Sequence, residues 1–322
     1  MKSPIFLFSL PRSGSTLLQR ILMSHKDIAS VAEPWVMLPF IYSLKKNGTL
    51  SEYGSYILYD ALEDFIDNLP RKKDDYYEAI SILLSTLYTK QCKNNELYFL
   101  DKTPRYYLII PEIIKVFPDA KFIFLFRNPT HVMSSMMQTW SNGNLRKMYA
   151  YDLDLNYGPK ALSDGYMSIQ ENAYALCYEN YINDPFRYSK EICEYLDIEF
   201  KNNMLENFVH QDTKGRLGDP TGINEYSNIS SNSLEKWKST FNTPFRKKVL
   251  LNYILSIDKE TLKIQGYDKE SILDSIDNIE TINKYFIKDR IDYIYSKLVR
   301  YTNANLYFGK KTSAWVQKRF IS

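Results

Sequence analysis

The 322-residue chain holds only three cysteines, Cys92, Cys177 and Cys193, without the spacing of a disulfide framework or of a thiolate metal site. Three histidines are too few for a His-rich metal centre, so no metal is expected. Charge of one sign is scarce as well. Lys and Arg number 41 against 38 Asp and Glu, a formal net charge of +3. No nucleic-acid partner is expected from that balance, and any basic site has to be local. No apolar run approaches the ~20 residues that span a bilayer. The first run, Ile5–Phe8, is too short for the apolar region of a secretory signal, so a cytoplasmic location is expected. Repeats and low-complexity tracts are missing too. With 44% hydrophobic and 25% charged residues, the composition is that of a folded chain rather than a disordered one.

What is present is alternation. Ile5–Ser9, Leu97–Leu100 and Lys121–Phe126 read as buried strands, and Ala175–Tyr181 as a weaker fourth. Between them the pattern is helical. Leu17, Leu18, Ile21 and Leu22 share a face opposite Gln19 and Arg20, and a turn through Ser30–Ala32 follows that helix. Glu112–Phe117 ends a helix ahead of Pro118. Pro129 opens another, whose stripe is Val132, Met133, Met136, Met137 and Trp140, with Ser135 off the stripe. Such alternation predicts an α/β fold with a parallel sheet, helices on both faces and a ligand at the carboxyl ends of the strands. Lys201–Ser231 reads as a long polar loop and Ser233–Ile257 as helix. Further on, Ile276, Ile279, Ile287, Ile291, Ile294 and Leu298 fit one helical face. Residues 1–269 are expected to form the main domain. Residues 270–322 are expected to form a helical extension with a basic tail, since 301–322 carry four basic and no acidic residues.

The most informative segment is Ser9-Leu-Pro-Arg-Ser-Gly-Ser-Thr16, which follows a strand and opens a helix. A turn of this kind aims backbone N–H groups at an anion, and the helix N-terminus adds positive potential. Against the nucleotide loop GxxxxGK[ST], Gly14 and Thr16 match, but Ser9 stands at the first glycine and Ser15 at the lysine. The cation is instead Arg12. The strand Lys121–Phe126 leads into Arg127, where a Mg²⁺-binding Asp would be needed for nucleoside triphosphate chemistry. Taken alone, the segment fits a Ser/Gly helix-capping turn equally well.

PRSGSTLL, followed about 110 residues later by FIFLFRNPTHVMSS, resembles the two cofactor motifs of the sulfotransferase family. The resemblance implies a P-loop-containing nucleoside-triphosphate-hydrolase-like three-layer fold with a central parallel sheet. It also implies 3′-phosphoadenosine-5′-phosphosulfate (PAPS) as co-substrate, leaving as adenosine 3′,5′-bisphosphate, with no metal. By the same resemblance Arg12, Ser13, Gly14, Ser15 and Thr16 cradle the 5′-phosphosulfate. Arg127 and Ser135, eight residues apart, hold the 3′-phosphate. Tyr178 contacts the adenine, and Lys214 and Gly215 belong to a loop that closes over the 3′-phosphate. Asp101-Lys-Thr-Pro104 and Tyr178-Glu179 are further points of similarity.

The flavour is that of the bacterial, carbohydrate and tyrosyl-protein branch. Small-phenol sulfotransferases carry Lys at the place of Arg12, Trp at Leu17 and a catalytic His at Pro104, so that His base is missing here. Glu33 matches the general base of the tyrosyl-protein branch, with His25 as its rival. Arg12 and Lys102 are the cations for the departing and transferred groups. The acceptor is expected to be hydroxylated: a carbohydrate, a peptide or a small molecule. The segment 138–172, rich in Tyr, Asn and Asp, is a candidate for its pocket. Two rival readings are a metal-dependent P-loop nucleotide kinase and a PAPS- or anion-binding module without chemistry. The tail, with Trp315 and Phe320, could touch an anionic membrane surface, and the helix near 276–300 could pair two copies as a homodimer.

Overall fold

A computed structural model of the chain describes residues 1–46, 48–49, 54–211, 235–282, 287–302 and 304. The chain divides into two compact units, Met1–Arg127 with Ala161–Ser231, and Asn128–Lys160 with Asn232–Ser322.

The described residues of the first unit contain five parallel strands: β1 (Ser3–Ser9), β2 (Ile28–Ser30), β3 (Tyr98–Asp101), β4 (Lys121–Phe126) and β5 (Ala173–Cys177). They lie in the order β2-β3-β1-β4-β5. The chain leaves β1 in the middle for β2 at one edge, returns to β3, and then crosses β1 to reach β4. An open α/β sheet binds its ligand where the strand order reverses, outside the carboxyl ends.

Alternation of side chains across β1 and β4 explains why the sheet is covered on both faces. Phe6, Phe8, Phe122 and Phe124 meet on one face, with Phe122 6.1 Å from both Phe6 and Phe8, and Phe8 5.0 Å from Phe124. Ile5, Leu7, Ile123 and Leu125 are fully buried on the other. Runs apolar on both faces suit only a sheet sandwiched between helices. One of these helices, Lys73–Gln91, buries Tyr77, Ile80, Leu84 and Tyr88 at helical spacing.

The structure departs from the sequence reading at two strands. The fourth expected strand starts earlier and stops at Cys177, because Tyr178 already belongs to a helix, Tyr178–Asn183. β2 was not expected and overlaps the expected turn only at Ser30, since three residues are too few for an apolar run to show.

The described residues of the second unit are helical. Asn128 caps Pro129–Ser141, its Oδ1 accepting from the Thr130 N–H at 3.0 Å. Val132, Met133, Met136 and Met137 are buried, but Trp140 is 37% exposed, so the stripe ends a turn early. The stretch expected as one helix is two, Lys236–Thr240 and Pro244–Ser256. Pro244 has no N–H with which to continue a helix, and Thr243 caps the new one by accepting from the Arg246 N–H.

Ile287–Thr302 is helical as expected, but it faces the other way. Asp289, Asp292 and Ser296 are buried, while Ile287, Ile291, Ile294 and Leu298 are 57–65% exposed. Arg246 clamps Asp289 through two bonds of 2.6 and 2.8 Å, and Ser296 Oγ accepts from the Tyr149 N–H at 2.9 Å. These polar anchors on one side set the orientation. No helix among the described residues is long and apolar enough to cross a membrane.

Phe122 is 1% exposed between two other rings. Phe122→Ala is expected to lower stability by about 3–5 kcal/mol, read as an earlier urea midpoint, because the cavity cannot collapse within a strand paired on both sides.

Candidate active site

Each strand of the sheet leads, at its carboxyl end, into a segment that carries an expected site residue. β1 runs into Arg12–Thr16, β2 into Glu33, β3 into Lys102, β4 into Arg127 and β5 into Tyr178. Residues some 165 positions apart in sequence are thus gathered along one edge.

The turn after β1 is tight. Arg12 has φ 66° and Gly14 φ 87°, both left-handed, a conformation that suits glycine and strains arginine. Gly14 O accepts from the N–H groups of Leu17 and Leu18 at 3.1 and 3.2 Å and so starts the helix Ser15–Leu22. A Cβ on Gly14 would stand 2.1 Å from Cε2 of Tyr178, so the tyrosine ring occupies the place a side chain would need. Arg127 closes the other flank. Its Nη1 donates to Arg12 O at 2.8 Å, and its guanidinium lies 4.4 Å over the Tyr178 ring.

Around this turn Ser9 Oγ, Ser13 Oγ and Arg127 Nε are buried without a hydrogen-bond partner among the described residues. Buried polar atoms are nearly always satisfied, and leaving one unmet costs about 1–3 kcal/mol. Three of them beside the first N–H groups of a helix fit an anion with several oxygens.

Lys102 follows β3 with its side chain 1% exposed. Its Nζ lies 3.1 Å from Glu33 Oε1 and 3.4 Å from Thr16 Oγ1. Glu33 Oε2 accepts from the indole N–H of Trp35 at 3.2 Å. Glu33 does not cap a helix, since the next one spans Met37–Ser43.

The segment bearing Glu33 is pinned to β3 through Asp101. The N–H of Trp35 donates to Thr103 Oγ1 at 3.2 Å, and that of Met37 to the Tyr106 hydroxyl at 3.1 Å. Both hydroxyls in turn donate to Asp101 at 3.1 Å, and Tyr88 donates to it at 2.6 Å. On the other side Gln19 Nε2 donates to Ser30 Oγ and Val31 O, both at 2.7 Å, tying the segment to the first helix. Trp35, Gln19 and the Asp101 cluster are site-forming residues that the sequence pattern does not single out. Asp101 and Thr103 stand only as neighbours of Lys102 in the motif.

His25 sits elsewhere in the network. It is 3% exposed, its Nδ1 accepts from the Asp27 N–H at 3.1 Å, and its Nε2 therefore donates to Glu199 O at 2.9 Å. Both ring nitrogens fasten the end of the first helix. Ser135 is half-buried on Pro129–Ser141 in the second unit. Lys214, Gly215, Trp315 and Phe320 lie outside the described residues. Among the described residues no group of three or more His, Cys, Asp or Glu is placed to hold a metal ion.

Residues 4–202 match the model of the Sulfotransferase family. The chain belongs to the sulfotransferase family. It is 30% identical over 139 residues to nodulation protein NoeE of Sinorhizobium fredii, covering 42% of this chain and 31% of that protein. A putative protein-tyrosine sulfotransferase of Caenorhabditis briggsae is 22% identical over 279 residues, 83% of this chain and 90% of the relative. The chain spans about a third of the length of the first curated relatives it matches, 31% and 30%. Among solved structures, the sulfotransferase domain from the curacin biosynthetic pathway superposes with a TM-score of 0.51 at 21% identity. That match covers 80% of this chain and 99% of the domain, and it bears out the P-loop-type α/β fold.

Burial pushes the Asp101 carboxyl up to about 6, against the opposing pull of the Tyr88, Tyr106 and Thr103 hydroxyls and of Lys102. The folded chain therefore holds this proton more tightly than the unfolded one. The contribution to stability is full below about pH 4 and is lost as pH rises through about 6. Wild type is expected to lose up to about 3 kcal/mol relative to Asp101→Asn between pH 4 and pH 7. Urea midpoints of the two proteins across that range measure the difference in slope.

Proposed function

We propose that this sulfotransferase moves a sulfuryl group from PAPS to the hydroxyl of an acceptor, with Glu33 as general base and Arg12 and Lys102 as the cations. The observation that carries the reading is the Glu33–Lys102 pair at 3.1 Å, set beside a turn whose Ser9 and Ser13 hydroxyls and flanking Arg127 Nε have no partner among the described residues.

The donor, when bound, supplies a sulfuryl group already activated by a phosphate leaving group. The chain's own residues do the rest. The N–H groups at the start of the first helix, with Ser13, Ser15 and Thr16, hold the 5′ end, and Gly14 lets the backbone approach. Arg12 offers a planar fork to the phosphate. Lys102 has three donors on one ammonium, so it can keep Glu33 oriented while neutralising sulfuryl oxygens. Trp35 holds Oε2 of Glu33, which fixes the plane of the carboxylate and presents the acid–base group in one orientation. Glu33 takes the proton as the acceptor oxygen bonds to sulfur. Arg12 and Lys102 meet the charge left on the departing phosphate of adenosine 3′,5′-bisphosphate. His25 is a poor rival as base, with both ring nitrogens engaged.

For the 3′-phosphate the proposal names Arg127, whose guanidinium is braced on Tyr178, and, on sequence spacing alone, Ser135, Lys214 and Gly215. Tyr178 is proposed to face the adenine as well. The acceptor is proposed to be a hydroxylated carbohydrate or peptide, the latter in keeping with relatives named as protein-tyrosine sulfotransferases.

Glu33→Gln is expected to reduce turnover by about 10²–10⁴-fold while leaving PAPS affinity within a small factor. Arg12→Ala is expected to lose most turnover as well. Single-turnover transfer of labelled sulfate, with PAPS binding measured by calorimetry, separates the two effects, and near-normal turnover of Glu33→Gln would refute the base assignment. Arg127→Ala is expected to weaken PAPS more than adenosine 5′-phosphosulfate, which lacks the 3′-phosphate. Equal losses for the two ligands would remove Arg127 from that role.

A further inference from the structure

The helix Ile287–Thr302 breaks the ordinary rule for a surface helix, whose apolar stripe faces its own core. Its polar side is the one held down. Besides the Arg246–Asp289 clamp and the Ser296 bond, Arg146 pairs with the buried Asp292 at 3.8 Å, and Arg300 reaches Asp152 at 2.8 Å. Facing out are Ile287, Ile291, Ile294, Leu298 and Tyr301, spaced four, three, four and three residues apart and 57–87% exposed.

The charges beside the stripe are all of one sign. Lys288, Arg290 and Lys297 are exposed along its flanks, and Arg146, 57% exposed, lies 4.3 Å over the Tyr295 ring. The acidic residues of the helix, Asp289 and Asp292, are buried and paired on the opposite side. The outward surface is therefore apolar along its middle and cationic along both margins.

The heptad-like spacing raises the option of a coiled-coil pair between two copies, and the margins argue against it. In a parallel pair neither Arg290 nor Lys297 finds an acid across the seam. In an antiparallel pair the two face each other as like charges. An anionic lipid surface satisfies both features at once. Apolar side chains enter the boundary between headgroups and acyl chains, and the flanking cations meet lipid phosphates and carboxylates. At 1.5 Å per residue the 16-residue helix is about 24 Å long, enough to lie flat as an in-plane anchor.

We propose that the outward face of Ile287–Thr302 docks this protein on an anionic lipid surface, with Ile287, Ile291, Ile294, Leu298 and Tyr301 in the interface and Lys288, Arg290, Lys297 and Arg146 on the headgroups.

Co-sedimentation of the full chain with vesicles tests this directly. Binding is expected to vesicles of phosphatidylcholine mixed with phosphatidylserine, not to phosphatidylcholine alone, and to fall as salt is raised. Ile291→Ser with Leu298→Ser is expected to weaken binding about tenfold or more, and so is Arg290→Gln with Lys297→Gln. All four positions are exposed, so the far-UV circular dichroism of both variants should match that of the unaltered chain. Absence of binding to the mixed vesicles overturns the proposal, as does equal binding to neutral ones. Undiminished binding of both variants overturns it too, by moving the lipid contact elsewhere, such as to 305–322. Light scattering that shows a dimer turned into a monomer by Ile291→Ser with Leu298→Ser would assign the face to a second copy instead.

Discussion

A lysine ammonium with almost no access to water is the constraint around which the first unit's sheet edge is arranged. Lys102 is 1% exposed, and taking an ammonium out of water costs several kcal/mol unless a well-placed partner repays it. The partner is Glu33, from a different strand connection, and that carboxylate has to arrive with the right orientation. Asp101 secures this through two hydroxyls that each accept a backbone N–H from residues 35 and 37. Trp35 then holds the second carboxylate oxygen. The pair, the strained Trp35 backbone at φ 55° and the buried Asp101 form one arrangement, in which no member can move without stranding another. An anion reaching the neighbouring turn meets a cation that is already dehydrated and aimed, which is the condition for strong electrostatic stabilisation.

The sheet was legible in the sequence where strands are buried on both faces, because a continuous apolar run such as Phe122–Phe126 suits little besides a buried strand. It was not legible at β2, whose three residues satisfy their register with Tyr98, Phe99 and Leu100 mainly through the backbone. Helix periodicity told which residues share a face, but not which way the face points. The stripe from Ile287 to Leu298 is real, yet ionic and hydrogen-bond anchors on the opposite side outweigh it. The sequence alone cannot rank a bidentate Arg246–Asp289 contact against four exposed aliphatic side chains. The break before Pro244 went unread in the sequence, although proline lacks the donor a continuing helix needs.

The residues proposed for the site, the turn with Lys102, Arg127, Tyr178 and Glu33, could be picked out from motif and order because each follows a strand end. What could not be found are the groups that hold them. Gln19 looks like the polar side of an amphipathic helix, and only the fold shows it bonded to Ser30 and Val31. Trp35 has no pattern at all. Such supporting contacts join positions up to about 70 residues apart, and local chemistry carries no record of them.

The missing loop lysine has a structural counterpart. In the nucleotide loop GxxxxGK[ST] the cation rises from the helix that the loop opens; here that position is Ser15. β3 pairs directly with β1, Phe6 lying opposite Asp101, so the residue just past Asp101 sits beside the turn. Lys102 is that residue, and its ammonium reaches within 3.4 Å of Thr16 Oγ1. A positive charge is thus delivered to the turn from beside the neighbouring strand, in addition to Arg12 within the loop. The difference has a consequence for chemistry. A lysine on the loop's own helix has its orientation set by that helix, whereas one just past β3 can pair with a carboxylate from the segment that follows β2. The turn is then flanked by an ammonium and a carboxylate held together at 3.1 Å.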